Sequence, residues 1–580
     1  DEDHDDHEGE DHDEDHDDHE GEDHDEDHDE HEGEHDDHEG EEMSTLANSD
    51  FEAQAKRIGI SKTGDWGYVG MSFSNNESVY GIPYHGEGHE GHERHGDEHE
   101  GERIFSVTDS DKFDIRGSFL LENGFLNRVD YSFRDSDYSL TEQHADGDGA
   151  HHSEEEHGDD HDGHDDHDGE GHDDGHHGEG PTTFKSESQE FGAVFDLSSD
   201  AFSQRFVVNY LDAENSIVGA ESFMNPVFCK GMTVGYFLSR EVGPFTMDVG
   251  IRHDRNERRG SLTRLNQHHD DHDDEEHDDE GHHDDHDDHE GEEHEDDHGI
   301  HDEHEGLAET DYFKTDFNNT SFALSLGRQL NDSLDLKLGF ASVERAPSDA
   351  ELFMNGPHLA TGRFEVGNVA LDSEKSNNID LTLNYESGNF FAGLTFFKND
   401  VDSYIYLQDE TGEEHEEHEE HHDDHGGLIR ADYMQKDSEF EGYEFEVGTD
   451  IDLNTGTLSF LYGRDSVRGK FKDGTNIPRI VPARNMFSIL YSGNDLKVKI
   501  SLQDVEKQDD IAFNETSTSG HQLLDLKVTR SFQVGPKAEI SVSLYGKNLL
   551  DEVARNHSSF VKDQVPLPGK NFGIRLSGKF

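Results

Sequence analysis

The stretch Leu334-Asp335-Leu336-Lys337-Leu338-Gly339-Phe340 places an apolar side chain at every second position. A period of two predicts a β-strand with two different faces. Turn signals such as Asn331-Asp332 and Ser387-Gly388-Asn389 separate successive strands, and helical periodicity is nearly absent. The same alternation recurs at Val69, Met71, Phe73; Val129, Tyr131, Phe133; Phe245, Met247, Val249, Ile251; Ile379, Leu381, Leu383; and Ile540, Val542, Leu544. The sequence therefore predicts an all-β chain of many strands.

Two all-β architectures compete, a soluble sandwich with the apolar face inside and a transmembrane antiparallel β-barrel with that face towards lipid. Alternating segments of about 10 residues suit a tilted strand that crosses a membrane. Connections alternate between tight turns and long polar insertions, as in outer-membrane barrels. The chain also ends on an apolar alternating strand, Phe572 to Phe580. These features favour the barrel.

The composition mixes two kinds of sequence. The 580 residues carry a formal net charge of -96, and only 29% are hydrophobic. Five segments of His, Asp, Glu and Gly hold all but four of the 46 histidines: 1–42, 85–103, 143–180, 267–306 and 411–426. We predict that 1–42 is an acidic, low-complexity extracellular loop and that 43–580 is a barrel with four insertions. The insertions belong outside the membrane and are expected to be disordered without metal.

Several function classes are excluded or disfavoured. A single cysteine, Cys229, cannot form a disulfide within the chain. No apolar run is long enough for a transmembrane helix. The strongly negative net charge argues against nucleic acid as a partner, because phosphate binding requires a positive surface. Because no G-x-S-x-G, Walker, H-E-x-x-H or paired-cysteine motif occurs, we do not expect an enzyme.

Four stretches resemble TonB-dependent outer-membrane receptors, in particular zinc receptors of the ZnuD type. They are Glu344-Arg345-Ala346-Pro347-Ser348, Asn355 to Gly362 (NGPHLATG), Asn548-Leu549-Leu550-Asp551 (NLLD) and Asn556 to Phe560 (NHSSF). The second and fourth point to the metal-loaded subgroup. The resemblance covers essentially all of 60–580 outside the acidic segments.

The resemblance implies a monomeric, multi-pass protein in the outer membrane of a Gram-negative bacterium, among lipid and lipopolysaccharide. A complete member has about 22 strands around a plug, and the TonB–ExbB–ExbD complex energises it. This chain shows no initiator Met, signal peptide, plug or first barrel strands. We therefore expect a fragment with fewer strands, and the implied function belongs to the complete receptor.

The His/acid-rich segments combine the ligands that suit Zn²⁺, and also Ni²⁺ or Cu²⁺. Candidates for metal capture are His4, His7, His16, His19, His89, His92, His151, His152, His164, His167, His282, His283, His286, His289, His415 and His418. The alternatives are a solvated charged brush or a calcium site. The spaced D-x-D-x-D-G loop of a calcium site is absent, and calcium would not explain the histidines.

Transport also needs a tighter site. His358 is the first candidate ligand, because it lies in the NGPHLATG stretch outside the acidic segments. Glu221, in a stretch resembling the receptors' EAF segment, and His557 are the others. Each has the alternative of a hydrogen-bonded polar residue, and His253 and His521 are expected to be structural. No prosthetic group is expected; Zn²⁺ is the expected bound or transported ion.

The sequence thus predicts a receptor that imports a metal ion, with zinc as the cargo, into the periplasm. Copper, nickel, haem or a metal–chelator complex are alternative cargoes. Haem usually requires an axial His flanked by aromatic residues, which the acidic segments lack. An alternative of another class is a metal-buffering or adhesion protein that uses the barrel as a surface anchor.

Overall fold

The computed structural model describes residues 46, 48–84, 103–121, 124–144, 180–219, 223–265, 308–410 and 428–580. In this part of the chain nearly all secondary structure is β-strand, as predicted. The one α-helix, α1, has 5 residues, Asp349–Phe353, and a short 3-10 turn spans Leu359–Thr361. None of the helices in these ranges is long and apolar enough to cross a membrane.

Twenty-one strands form one sheet. In chain order they are β1 Phe51–Gly64, β2 Gly67–Gly81, β3 Ile104–Leu120, β4 Arg128–His144, β5 Thr182–Asp196, β6 Ser203–Gly219, β7 Met224–Val242, β8 Phe245–Leu265, β9 Ala308–Asn331, β10 Leu334–Arg345, β11 Asn355–His358, β12 Arg363–Val366, β13 Glu374–Ser387, β14 Phe390–Asp409, β15 Ile429–Leu453, β16 Gly456–Phe471, β17 Arg484–Gly493, β18 Leu496–Val505, β19 His521–Val534, β20 Ala538–Lys547 and β21 Asn571–Lys579.

The barrel wall follows chain order. Each wall strand pairs antiparallel with the next, and β10 pairs with β13. The short strands β11 and β12 leave the wall and form their own antiparallel hairpin. That hairpin is attached to the wall where β12 runs parallel to the start of β15. Within the described residues, β1 pairs only with β2, and β21 only with β20.

The two ends of the wall differ. Nine short connections lie at one end, which we call the turn end: 65–66, 121–127, 197–202, 243–244, 332–333, 388–389, 454–455, 494–495 and 535–537. The opposite end, the loop end, carries long connections, including 346–373, 472–483, 506–520 and 548–570. The wall strands on either side of the four internal acidic segments also end there, because those segments join β2 to β3, β4 to β5, β8 to β9 and β14 to β15.

The apolar face of the strands points away from the barrel interior. Leu338, Phe340 and Ile379 are 48%, 40% and 54% exposed, although they belong to the strictest alternating stretches. A soluble sandwich would bury these side chains, whereas a membrane barrel presents them to lipid. The predicted choice of barrel over sandwich is therefore confirmed.

Many wall strands are longer than the expected 10 or so residues. β9 has 24 residues and β15 has 25. The excess lies towards the loop end, and its outward face becomes charged. Asp111, Asp137, Glu187 and Glu214 are directly opposite one another on β3 to β6. We call these four residues the outer carboxylate row. Because hydrocarbon does not tolerate a row of like charges, this part of the wall stands outside the lipid.

A small apolar core lies at the loop end, where connection 346–373 folds against the wall. Its fully buried members include Phe223, Val227, Leu352 and Phe353, each at most 1% exposed. A capping box starts α1: the Ser348 hydroxyl accepts from the Glu351 backbone N–H, and the Glu351 side chain accepts from the Ser348 N–H. The core and the cap fix the route of the chain into β11.

Candidate metal site and loop-end cavity

His358 is the last residue of β11, and Glu365 lies on the facing strand β12. The His358 Nδ1 is 2.8 Å from the Glu365 Oε1. The Thr361 hydroxyl donates to the His358 carbonyl at 2.9 Å and also reaches Glu365 at 3.3 Å. Gly362, with φ 65°, closes the turn between the strands. A carboxylate on Nδ1 fixes ring orientation and raises ligand basicity, as in zinc sites.

Two aromatic rings flank His358. The Phe223 ring stacks on the imidazole at a centroid distance of 5.1 Å, and the Phe184 ring lies 6.4 Å away. The His358 side chain is 21% exposed, and that of Glu365 only 5%. The imidazole therefore sits in a shallow, largely apolar niche. No local pattern in the sequence indicates these contacts, because both rings lie far from His358 along the chain.

The β11–β12 hairpin touches described residues next to the acidic segments. The Ile429 backbone N–H, just after segment 411–426, donates to the Gly362 carbonyl at 3.2 Å. Tyr84, just before segment 85–103, places its hydroxyl against Gly362, where an added Cβ would lie 3.1 Å away. Two of the four internal insertions are thus attached beside the turn that follows His358.

The strands that carry the other two insertions also contact the hairpin. Phe184, which flanks His358, follows segment 143–180 by a few residues. The side-chain amide of Asn355 donates to the Thr263 carbonyl at 2.9 Å, shortly before segment 267–306. The ends of the strands that carry all four internal insertions therefore meet at the hairpin that carries His358.

Most of the predicted metal ligands lie outside the described residues. They are Glu221 and all of the capture candidates, namely His4, His7, His16, His19, His89, His92, His151, His152, His164, His167, His282, His283, His286, His289, His415 and His418. Phe223, two residues after Glu221, accepts a hydrogen bond from the Asn355 backbone N–H at 2.7 Å. In the described part of the chain, no three His, Cys, Asp or Glu side chains are grouped to hold a metal.

His557 lies apart from His358 in connection 548–570, and its side chain is 1% exposed. Its Nδ1 is 3.0 Å from the Thr518 hydroxyl, and its Nε2 is 3.1 Å from the Glu515 Oε1. The Lys562 ammonium reaches the same Glu515 oxygen at 3.2 Å. A metal at His557 would have to displace these contacts, so the ligand role of this residue stays a prediction that the geometry does not favour.

The two histidines expected to be structural lie on wall strands. His253, on β8, is exposed on the outward face, and its Nδ1 is 3.0 Å from the Thr320 hydroxyl. His521, at the start of β19, is 8% exposed and pairs in register with Val505. Neither lies in the hairpin that carries His358.

A buried polar cluster anchors the helix that precedes the hairpin. Asp349, the first residue of α1, is 2.8 Å from the Arg258 Nε. The Cys229 thiol lies 3.0 Å from both Asp349 oxygens and donates to this carboxylate. Asn215 donates to Asp349 as well. The thiol is 2% exposed, which agrees with a structural role for Cys229.

A cavity of about 1190 Å³ lies at the loop end, and its lining includes Gly362 and Arg363 but not His358. Arg363 and Asp409 form a buried two-pronged ion pair in its wall, with N–O distances of 2.9 and 2.7 Å. Two guanidinium groups contact the Phe560 ring. The Arg363 and Arg479 guanidinium carbons are 4.3 and 4.2 Å from the ring centre. This stack joins three loop-end connections.

Comparison with known proteins agrees with this architecture. The family described as TonB dependent receptor-like, beta-barrel matches residues 46–549. Over 100 residues, the chain is 33% identical to the ferrienterobactin receptor of Escherichia coli K12. That match covers 15% of this chain and only 13% of the receptor's length.

Solved structures share the fold at low sequence identity. The copper transporter OprC has a TM-score of 0.63 and 13% identity, over 92% of this chain and 73% of that protein. The FrpB iron transporter of Neisseria meningitidis (F5-1 variant) has a TM-score of 0.58 and 13% identity, over 92% of this chain and 74% of that protein.

Proposed function

Because this chain belongs to the TonB-dependent receptor family, whose barrels lie in the outer membrane, we propose that the complete protein imports a metal ion, Zn²⁺, into the periplasm. The observation that carries this proposal is that the strand ends next to all four internal insertions contact the β11–β12 hairpin. His358 is held there by Glu365, beside the strand ends that lead into all four internal His/acid-rich segments.

The proposed path has two binding stages. The acidic histidine segments collect the cation, and their negative charge steers it to the loop end. The ion then moves to the hairpin, where His358 supplies an imidazole and Glu365 orients it. Further ligands come from outside the described residues, with Glu221 as the proposed carboxylate. Imidazole ligation weakens at acidic pH because protons compete with the metal.

Import requires parts of the complete receptor. We infer that a plug fills the barrel and that TonB, with ExbB and ExbD, supplies energy from the proton-motive force. Within the described residues, β1 and β21 each have one neighbour, and a barrel in lipid requires both of these edges to be paired, since an open sheet edge leaves backbone groups without partners. We propose a monomer surrounded by lipid and lipopolysaccharide.

Haem is a second candidate cargo, favoured by a specific observation. His358 is flanked by Phe223 and Phe184, the kind of surroundings expected for an axial haem ligand. One similar structure is the Serratia marcescens hemophore receptor HasR in complex with hemophore HasA and heme, with a TM-score of 0.55. The four internal segments rich in His and carboxylate, which join strands at this end of the wall, favour a bare ion.

The test is an uptake assay with the complete gene in a zinc-starved Gram-negative host, with and without TonB. Zinc, copper, nickel and haem accumulation are compared for the wild type, His358→Ala and His253→Ala. His253 is the matched control, since it is a wall histidine on the outward face. We expect TonB-dependent zinc uptake that falls in His358→Ala and is unchanged in His253→Ala.

Two results would overturn the proposal. Zinc that binds cells but never enters them, with or without TonB, would leave a metal-binding surface anchor. TonB-dependent uptake of haem in preference to zinc, with the same dependence on His358, would establish the second candidate.

A further inference from the structure

Two arginines flank Phe245 at the turn end of the wall, on its outward face. Phe245, at the start of β8, lies directly opposite Arg328 of β9. Arg240 of β7 lies opposite Met247, two residues further along β8. The Arg328 guanidinium carbon is 5.3 Å from the centre of the Phe245 ring. Because diagonal neighbours on adjacent strands are only about 7–8 Å apart, both arginine side chains can reach the surface around Phe245.

Neither arginine is neutralised by the part of the chain that the structure describes. Both are exposed, and among the described residues neither forms an ion pair. The nearest carboxylates along the chain lie elsewhere. Glu241 is opposite Thr246 on the inward face, and Asp248 faces the same way and accepts from the Ser239 hydroxyl at 2.6 Å. Asp332 belongs to the turn after β9. The outward face therefore carries two positive charges without a partner here.

A third outward arginine at the turn end differs from these two in its pairing. Arg530, on β19, lies opposite Leu496, the first residue of β18. Its guanidinium carbon is also 5.3 Å from the centre of an aromatic ring, that of Phe532. Unlike the other two arginines, it lies 3.4 Å from a carboxylate, that of Asp495. The difference is thus one of charge balance, since the place along the wall and the aromatic contact are alike.

The two unpaired arginines lie where the apolar outward face meets the turns. Towards the loop end, the outward positions beside them on β8 and β9 are apolar, namely Met247, Val249, Ile251, Leu324 and Leu326. In outer-membrane barrels the short turns lie on the periplasmic side, which is the phospholipid leaflet. Long cationic side chains at this depth extend to the boundary between lipid and water. Lipid phosphates lie at the same boundary.

We propose that Arg240 and Arg328 together bind the phosphate of an anionic phospholipid in the periplasmic leaflet, with its acyl chains along the apolar strip of β8 and β9. Each guanidinium presents a planar fork of N–H donors that matches phosphate oxygens. The Phe245 ring holds the fork of Arg328 in place. A zwitterionic headgroup brings its own positive charge beside the two arginines, whereas phosphatidylglycerol brings none. The site therefore prefers phosphatidylglycerol to phosphatidylcholine.

The test is native mass spectrometry of the detergent-solubilised protein, titrated with phosphatidylglycerol or with phosphatidylcholine of the same chain length. We expect saturable binding of phosphatidylglycerol and weaker binding of phosphatidylcholine. Arg240→Gln and Arg328→Gln should each weaken phosphatidylglycerol binding about five-fold, and the double variant about 25-fold, which is the usual contribution of a basic residue at an anionic lipid surface. Arg530→Gln is the matched control and should bind as the wild type does, because Asp495 already balances that charge.

Equal affinity of the wild type for the two lipids overturns the proposal, and so does unchanged phosphatidylglycerol affinity in the double variant. A loss in Arg530→Gln as large as that in Arg328→Gln would reveal only a general attraction to positive charge, and also overturns it. If the double variant fails to fold, the single variants decide by the same criteria. Glycerol 3-phosphate is added as a competitor, and displacement of the lipid by an equal concentration would assign the arginines to a soluble phosphate instead. His358→Ala should keep full phosphatidylglycerol affinity, so the outcome is independent of the metal-import proposal.

Discussion

Glu515 makes the loop end sensitive to acid. Its side chain is 7% exposed, and its two oxygens face His557, Lys562 and the backbone N–H groups of Arg479 and Ala512. These partners lower the pKa of the Glu515 carboxyl from 4.5 to about 2, against the opposing effect of burial. The ionised carboxylate therefore stabilises the contacts between connections 506–520 and 548–570.

The sign and size follow from linkage. A lowered folded-state pKa gives stability that is fully present above pH 4.5 and is lost as pH falls towards 2. Each pH unit between the two pKa values is worth about 1.4 kcal/mol. Full protonation of Glu515 should thus weaken the contacts between the two connections by about 3 kcal/mol.

The assay is hydrogen exchange with mass spectrometry on the detergent-solubilised protein, read on peptides from 506–520 and 548–570. After correction for the intrinsic pH dependence of exchange, protection of both connections should fall between pH 4.5 and 2. In Glu515→Gln, protection should already be low at pH 7 and nearly flat below it. Asp509→Asn is the control, because Asp509 is 61% exposed and pairs only with Lys507. Wild-type protection that persists at pH 2, or a Glu515→Gln profile like that of the wild type, would refute the reasoning.

Three further outcomes are expected. Glu365→Gln should weaken zinc binding at the hairpin by about 10–100-fold in a competition titration, whereas Glu439→Gln, on the outward face of β15, should not. Cys229→Ser should keep the hydrogen bond to Asp349, whereas Cys229→Val should lose it and destabilise α1 by about 1–3 kcal/mol. The loss would be seen as faster hydrogen exchange in α1. Because the thiol is buried, maleimide should label Cys229 only after denaturation. Phe353→Ala removes a ring that is 1% exposed and should cost about 3–5 kcal/mol, measured as lost protection of the hairpin.

The wall strands could be predicted from the sequence because the alternation of apolar and polar side chains is visible within each strand. Alternation within Leu334–Phe340 requires only that one face meets lipid and the other does not, and both β10 and its partner β13 satisfy this. Strand length could not be predicted in this way. Once a strand leaves the lipid, its outward face becomes polar and the alternation disappears, although the sheet continues, as β15 shows.

The site was only half predictable. His358 stood out by its motif and its position outside the acidic segments. Its partner Glu365 did not, since the pairing depends on a hairpin of two four-residue strands, β11 and β12, too short to show periodicity. The flanking rings and the stacking of Phe560 with Arg363 and Arg479 depend on contacts between distant connections. Such contacts are set by tertiary packing, which no local pattern records.

The length of the wall has a consequence for what can reach this protein from outside. β15 has 25 residues, whereas a tilted strand crosses a membrane in about 9–11, so more than half of it rises clear of the hydrocarbon. Strands β3 to β6, with 15 to 17 residues each, also exceed that length, and they carry the outer carboxylate row as a rigid epitope backed by the sheet. An antibody fragment or other soluble binder directed at the outer carboxylate row would bind an ordered part of the sheet, on the outward face of the barrel. Such a reagent could report the receptor on intact cells without covering the opening through which cargo passes.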